Sequence, residues 1–325
     1  MIIVSGASGF IGAYCVEQLL KEGYTVVATS RTSAAEDYYK RLSIPFHTLD
    51  VSNEEDFAKL PHKDVEAFVH LAAIIPAALP DLDAKKFLLG NSYGTYNSLR
   101  FCRANGIKRF ISTTSHFAVE GFWGLWDTEK KKISEDMGEN FKFTGNHTLY
   151  IISKIAAEQY AEHFMQEYGM NNVTYRLTGV YGFGRYSSAL ELFINKAQKG
   201  EPITIYDNPD RVRDHIYVKD VVHALVIALQ NQNVSGLYNL SSGKPYTLRE
   251  EVEHIVNAVS PPEQRSEITV APTQKSYPPS SYVYDMSKLK KDGGFEPQYS
   301  YEEMVRDIVK ERDENRYYWL SKKNG

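Results

Sequence analysis

The sequence predicts an α/β chain, built on a doubly wound parallel sheet with a smaller C-terminal α/β lobe. Three observations predict it. Short apolar runs alternate with helical patterns through the first half, as when parallel strands are joined by right-handed helical crossovers. Several of those runs are apolar throughout rather than alternating, which suits a sheet covered on both faces. The first run leads straight into glycines at positions 6, 9 and 12, at the mouth of the first helical pattern.

In order, strands are expected at residues 1–5, 24–30, 45–49, 67–71, 108–113 and 173–177. Helices are expected between them at 11–22, 54–60, 84–105 and 149–168. The last two stop near Gly106 and Gly169, where a C-cap glycine is common. Beyond about Arg176 the alternation weakens and prolines become frequent, as at Pro202, Pro209, Pro245, Pro261 and Pro278. Helices at 218–229 and 248–259 stand out there. The chain therefore divides into a nucleotide-binding domain over 1–175 and a mainly substrate-binding lobe over 176–325, some of whose segments return to the first domain.

Composition narrows the function. The 325 residues are 42% hydrophobic, enough for a sizeable core, and the net charge of -4 comes without a clustered basic face. That argues against nucleic-acid binding, which needs many phosphate-neutralising cations. Two cysteines, Cys15 and Cys102, cannot form a disulfide framework and suit a reducing compartment. No apolar stretch approaches the ~20 residues of a membrane span, and a cleaved leader would remove the first strand. A cytoplasmic protein acting on a small-molecule substrate is expected, as a homodimer, with no nucleic-acid, membrane or metal partner.

The glycine run is the strongest local signal. Gly6, Ala7, Ser8, Gly9, Phe10, Ile11 and Gly12 link the first strand to the first helix. Gly6 permits a tight turn, Gly9 lets a pyrophosphate approach the backbone, and Gly12 lets helix and strand pack closely. The helix N-terminus offers free N–H groups to phosphate. This is a Rossmann-type dinucleotide site. An acid ending the second strand would select NAD(H) through the ribose hydroxyl. The sequence has Ser30, Arg31 and Thr32 instead, suited to a 2′-phosphate, so NADP(H) is preferred and NAD(H) remains compatible. Asp50 and Val51 are placed to meet adenine, and Leu71, Ala72 and Ala73 to line the cofactor.

Tyr150 and Lys154 are four residues apart on a helix and so share a face. An ammonium near a phenol lowers its pKa, which would make Tyr150 an acid–base catalyst, with Lys154 also holding the nicotinamide ribose. Ser112, Thr113, Thr114 and Ser115 end the fifth strand, where substrate is expected in such a sheet.

Taken together, these residues resemble the extended short-chain dehydrogenase/reductase family, the sugar-nucleotide epimerase/dehydratase group. The resemblance adds His70-Leu71-Ala72-Ala73, Asn91 to Thr95, Val180-Tyr181-Gly182, Arg213 to Val218 with Asp220, and Tyr238 to Gly243. It implies hydride transfer between a nicotinamide and a substrate carbon, with Tyr150 moving the proton. It implies a catalytic hydroxyl at Ser115, with Thr114 as the alternative, and a supporting role for Asn91. It also implies that the C-terminal lobe binds a nucleoside diphosphate.

Three departures restrict the chemistry. Gly179 stands where sugar-nucleotide members carry an Asn that touches the diphosphate. His116 and Phe117 follow Ser115, where the 4,6-dehydratases have an Asp-Glu pair. Neither cysteine is placed for the 3,5-epimerising reductases. A nucleotide-sugar 4-ketoreductase using NADP(H) is expected, with a 4-epimerase holding its cofactor, or a non-catalytic NADP-sensing regulator, as alternatives. The expected substrate contacts are Ser115, His116, Gly179, Arg211 and Arg213. Alternation puts the two arginines on one side of an extended segment, available either to a diphosphate or to surface pairs with Asp207, Asp210 or Asp214.

Overall fold

The computed structural model describes residues 1–76, 83–142, 147–185, 189–206, 208–271 and 281–321. β1 (Ile2–Ser5), α1 (Phe10–Lys21), β2 (Val26–Ser30), α2 (Glu36–Arg41) and β3 (Phe46–Thr48) come first. After β4 (Ala67–His70) come α3 (Ala84–Phe87), a π-helical turn over Leu88–Tyr93, and α4 (Gly94–Ala104). β5 (Arg109–Ser115), α5 (Leu125–Glu129), α6 (Thr148–Tyr168) and β6 (Asn171–Leu177) follow.

The second half begins with β7 (Val180–Tyr181), α7 (Ala189–Gln198), β8 (Ile203–Ile205), β9 (Val212–Arg213) and β10 (Ile216–Tyr217). It continues with α8 (Val218–Gln230), β11 (Gly236–Leu240), β12 (Tyr246–Thr247), α9 (Leu248–Val259) and β13 (Ile268–Val270). It ends with α10 (Ser287–Gly293), α11 (Tyr301–Asp313) and α12 (Tyr318–Ser321).

Seven strands form one parallel sheet in the order β11-β6-β5-β4-β1-β2-β3. This is the doubly wound sheet that the alternation predicts. The chain builds outward from β1 in one direction and from β4 in the other, so the crevice between their carboxyl ends is the topological switch point where ligands bind. Alternation along the strands divides the core between two faces. Ile2, Val4, Val26 and Ala28 pack under α1 and α8, whereas Ile3, Val27, Phe68 and Phe110 pack under α4 and α6. Cys15 lies in the first of these cores and Cys102 in the second, both buried as free thiols.

Four expectations are corrected. The helix expected over 84–105 is divided by the π-helical turn, where Gly90 and Gly94 approach Ile74 and Val51 so closely that a Cβ would sit 2.6 and 2.5 Å from them. Residues 54–59 form a 3₁₀ turn capped by Asn53 rather than an α-helix. The sheet gains β11, which the sequence pattern hides because Asn239 is buried and its amide is spent on the Ile133 carbonyl. α2, α5, α7, α10, α11 and α12 were not expected; α11 starts at a capping box between Ser300 and Glu303. Among the described residues, no helix is long and apolar enough to cross a membrane.

Candidate active site

β1 ends at Ser5, and the chain turns through Gly6 at a left-handed φ of +75°. A Cβ on Gly6 would lie 2.6 Å from the Ala72 nitrogen, so the loop presses on the segment leaving β4. A Cβ on Gly12 would lie 2.1 Å from the Gly6 carbonyl oxygen, and its absence lets α1 seat on the loop. Gly9 is the N-cap of α1 and brings no capping side chain. The N-terminus of a twelve-residue helix is thereby left for an anion. A cradle that any Cβ would fill, at the switch point and under a helix N-terminus, fits a dinucleotide pyrophosphate.

The rest of the expected cofactor contacts surround this loop. The Ser8 and Ser30 hydroxyls are hydrogen bonded to each other, tying the loop to the end of β2. Arg31 and Thr32 are exposed just beyond. Phe10 and Ile11 are half-buried on the first turn of α1. The Asp50 carboxylate accepts from the backbone and hydroxyl of Ser52 at 2.9 and 2.7 Å, which fixes its turn. Val51 is buried, and its carbonyl accepts from the Asn97 amide at 3.0 Å. Leu71 and Ala72 are half-buried beside Gly6, and Ala73 is exposed.

The structure brings Tyr150, Lys154, Ser115 and Asn91 together. Tyr150 is buried on the first turn of α6, with its ring edge-on to Phe87 at 6.1 Å. Its hydroxyl lies beside Ser115, at the end of β5, near enough for that side chain to act on its pKa. Burial pushes the phenol up to about 12, while the Ser115 side chain and the Arg185 charge pull it back in part. This corrects the expectation of a lowered value. The reason is burial, and Lys154, whose ammonium donates to the Thr113 carbonyl at 3.0 Å, is not among the charges that pull the phenol down. Burial lowers Lys154 to about 8, opposed by Glu158. Asn91, in the π-helical turn, accepts from the Ile74 N–H at 2.7 Å and donates to the Ser153 hydroxyl at 2.9 Å. It thus ties the loop after β4 to α6, which carries Tyr150 and Lys154, in keeping with π-turns at functional sites.

Thr114, the alternative to Ser115, points the other way. Its hydroxyl donates to Glu158 at 2.5 Å, and Glu158 is held by the buried Arg176 guanidinium at 2.6 Å. Strand alternation separates the two hydroxyls, and Ser115 is the one beside the phenol.

The substrate side differs most from expectation. His116 is buried among Phe117, Trp123, Tyr282 and Tyr284, and bonds the Tyr284 hydroxyl at 3.1 Å. Burial lowers it to about 3, so it is neutral at physiological pH. Gly179 is required by His215: a Cβ there would lie 2.1 Å from the imidazole. His215 bonds Glu251 at 3.0 Å and the Tyr282 hydroxyl at 3.3 Å. Arg213 pairs with the buried Glu251 rather than with any of the aspartates expected for it. Asp214 is itself buried, accepting from Ser241, Ser242 and the Gly243 and Tyr284 N–H groups, and Asp207 lies outside the described residues. Arg213 is thus anchored in the wall. Arg211 is half-buried, and its charge reaches Tyr282.

Arg185, Glu158, Arg176 and His215 were not singled out in the sequence. Arg185 is exposed, donates to the Val180 carbonyl at 2.6 Å, and its charge acts on Tyr150, Tyr181, His116 and His215. Two signals were available: an arginine inside the strand pattern of β6, and a glutamate one helical turn beyond Lys154 on the same face.

Comparison with known proteins follows this geometry. The model of the NAD dependent epimerase/dehydratase family matches residues 2–241. A Methanocaldococcus jannaschii protein, provisionally named a UDP-glucose 4-epimerase, is 27% identical over 77% of this chain and 79% of its own. UDP-glucuronic acid decarboxylase 1 of Danio rerio is 26% identical over 95% of this chain and 71% of its own. The crystal structure of Thermus thermophilus UDP-glucose 4-epimerase in complex with NAD is 26% identical and has a TM-score of 0.76, covering 95% of this chain and 97% of that one.

Proposed function

The chain belongs to the NAD-dependent epimerase/dehydratase family, and from that premise we propose that it is a nucleotide-sugar 4-epimerase acting through Tyr150, Ser115 and Lys154. One observation carries the reading: the Tyr150 phenol lies beside Ser115 and a buried Lys154, with His116 and Phe117 where a dehydrating acid–base pair would follow. Cys15 and Cys102 are buried in the two cores, away from this cluster. What remains is redox chemistry at a single carbon. Relatives named for UDP-glucose and UDP-glucuronic acid support a nucleotide-linked sugar as substrate.

A bound nicotinamide supplies reversible hydride acceptance. Tyr150 carries the matching proton at the substrate hydroxyl oxygen, and Ser115 orients that oxygen through its own hydroxyl. Lys154, already held by the Thr113 carbonyl, binds the ribose. Asn91 and Ser153 keep the loop after β4 in register with α6. Arg211 is the better candidate for a diphosphate contact, because Arg213 is committed to Glu251. The test is incubation of purified protein with UDP-glucose and UDP-glucuronic acid, with no cofactor added. An epimerase gives the 4-epimer by NMR and releases NAD(P) on denaturation. Stoichiometric consumption of NADPH with a UDP-4-keto sugar, and no epimer from UDP-glucose or UDP-glucuronic acid, would instead establish a ketoreductase.

That second reading is favoured by the end of β2, where Arg31 stands exposed beyond Ser30 with no acid at the ribose position. If Arg31 holds a 2′-phosphate, Arg31→Ala weakens NADP(H) roughly ten-fold or more and leaves NAD(H) nearly unchanged. Titration calorimetry with both cofactors reads this directly, and equal losses for the two would remove the preference.

Two buried free thiols suit a cytoplasmic location. A homodimer is supported by exposed Leu88, Leu89, Leu149, Ile152, Tyr160 and Tyr168, which lie on α6 and the π-helical turn packed against it. The protein is expected to sediment as a dimer and Ile152→Glu as a monomer. A monomeric parent would dismiss the idea.

A further inference from the structure

We infer that Tyr39 and Trp319 are positioning residues of the dinucleotide site, each holding one carbonyl of the glycine loop from beneath. The inference rests on the cofactor reading above and adds residues that no glycine-loop motif contains.

The Tyr39 hydroxyl donates to the Ala7 carbonyl at 2.7 Å. The Trp319 indole N–H donates to the next carbonyl, that of Ser8, at 3.2 Å. Both side chains are buried, and their rings lie 6.2 Å apart within a cluster that includes Tyr38 and Tyr317. Tyr39 comes from α2 and Trp319 from α12, so two segments distant in sequence converge on consecutive peptides.

The physical need is specific to this loop. Glycines at 6 and 9 remove the steric restraint that would otherwise fix the peptides between them. A loop carbonyl turned toward a pyrophosphate would set oxygen against oxygen. Fixing both oxygens on the buried side keeps them off the anion and leaves the start of α1, capped by no side chain, to receive it. A preorganised loop also avoids an ordering cost on binding.

Tyr39→Phe and Trp319→Phe each delete one donor and keep a ring in place. Each is expected to weaken NAD(H) or NADP(H), measured by titration calorimetry, about three- to ten-fold, as for the loss of one neutral hydrogen bond. Tyr38→Phe is the control: it removes a bond to Glu17 within the same cluster and touches no loop carbonyl. It should leave the dissociation constant unchanged whatever it does to the melting temperature. Binding by both Tyr39→Phe and Trp319→Phe within two-fold of the parent would overturn the inference. So would an equal loss in Tyr38→Phe, which would make cluster packing responsible. A parent protein that binds neither cofactor would overturn the cofactor reading itself, and this inference with it.

Discussion

Replacing Tyr150 by phenylalanine is expected to lower turnover by about 100-fold or more, the range of a lost general acid–base group, while cofactor binding is retained. The substitution keeps the ring against Phe87 and removes the oxygen beside Ser115. With the phenol near 12 in the protein alone, Tyr150 is protonated at neutral pH. It is set to donate to a carbonyl oxygen, and needs the positive charge around it to act in the other direction. Lys154→Ala should impair both turnover and cofactor affinity, because the proposal gives that ammonium two tasks. Steady-state kinetics beside calorimetry separate the two variants. Near-normal turnover in Tyr150→Phe would remove Tyr150 from the chemistry.

Gly12→Ala should be the most damaging single methyl in the glycine loop. The added carbon would sit 2.1 Å from the Gly6 oxygen and 2.8 Å from the Ala7 Cα, both backbone atoms that no rotamer change can move. α1 must therefore lift off the loop. The expected result is a loss of cofactor affinity of about 100-fold or more, together with roughly 1–3 kcal/mol of stability, as for other overpacked sites. Gly23→Ala is the comparison. Gly23 has a left-handed φ of +83° and nothing within 4 Å of an added Cβ. It should lose roughly 1–2 kcal/mol through backbone strain alone and bind cofactor normally. Thermal melts and calorimetry on both variants decide the matter, and unimpaired binding by Gly12→Ala would contradict the cradle.

What was legible in the sequence was local. The glycine spacing reports one turn and one helix start, and Tyr150 and Lys154 report one helix face, so neither needs long-range information. The alternation of apolar runs located six of the seven strands of the sheet for the same reason. The illegible parts depend on distant partners. β11 hides behind a buried asparagine whose amide is spent on Ile133. The π-helical turn exists because Asn91 reaches Ile74 and Ser153. Helical spacing places Lys154 on the right face but shows neither the acceptor of its hydrogen bond nor the burial that raises the Tyr150 phenol. Arg213 was assigned to a diphosphate or a neighbouring aspartate, whereas its partner, Glu251, lies on α9.

The strand order also shapes how the chain is made. β6 ends at Leu177, yet its neighbour β11 begins only at Gly236. At a synthesis rate of about 5–20 residues per second, several seconds pass in which a nascent chain carries β6 with one edge unpaired. α8, which must cover that side of the core, is also still to come. An open edge lined by Val173, Tyr175 and Leu177 is a template for wrong pairing between growing chains. Holdase chaperones should therefore engage this protein during elongation across residues 178–235, and release it once β11 has docked.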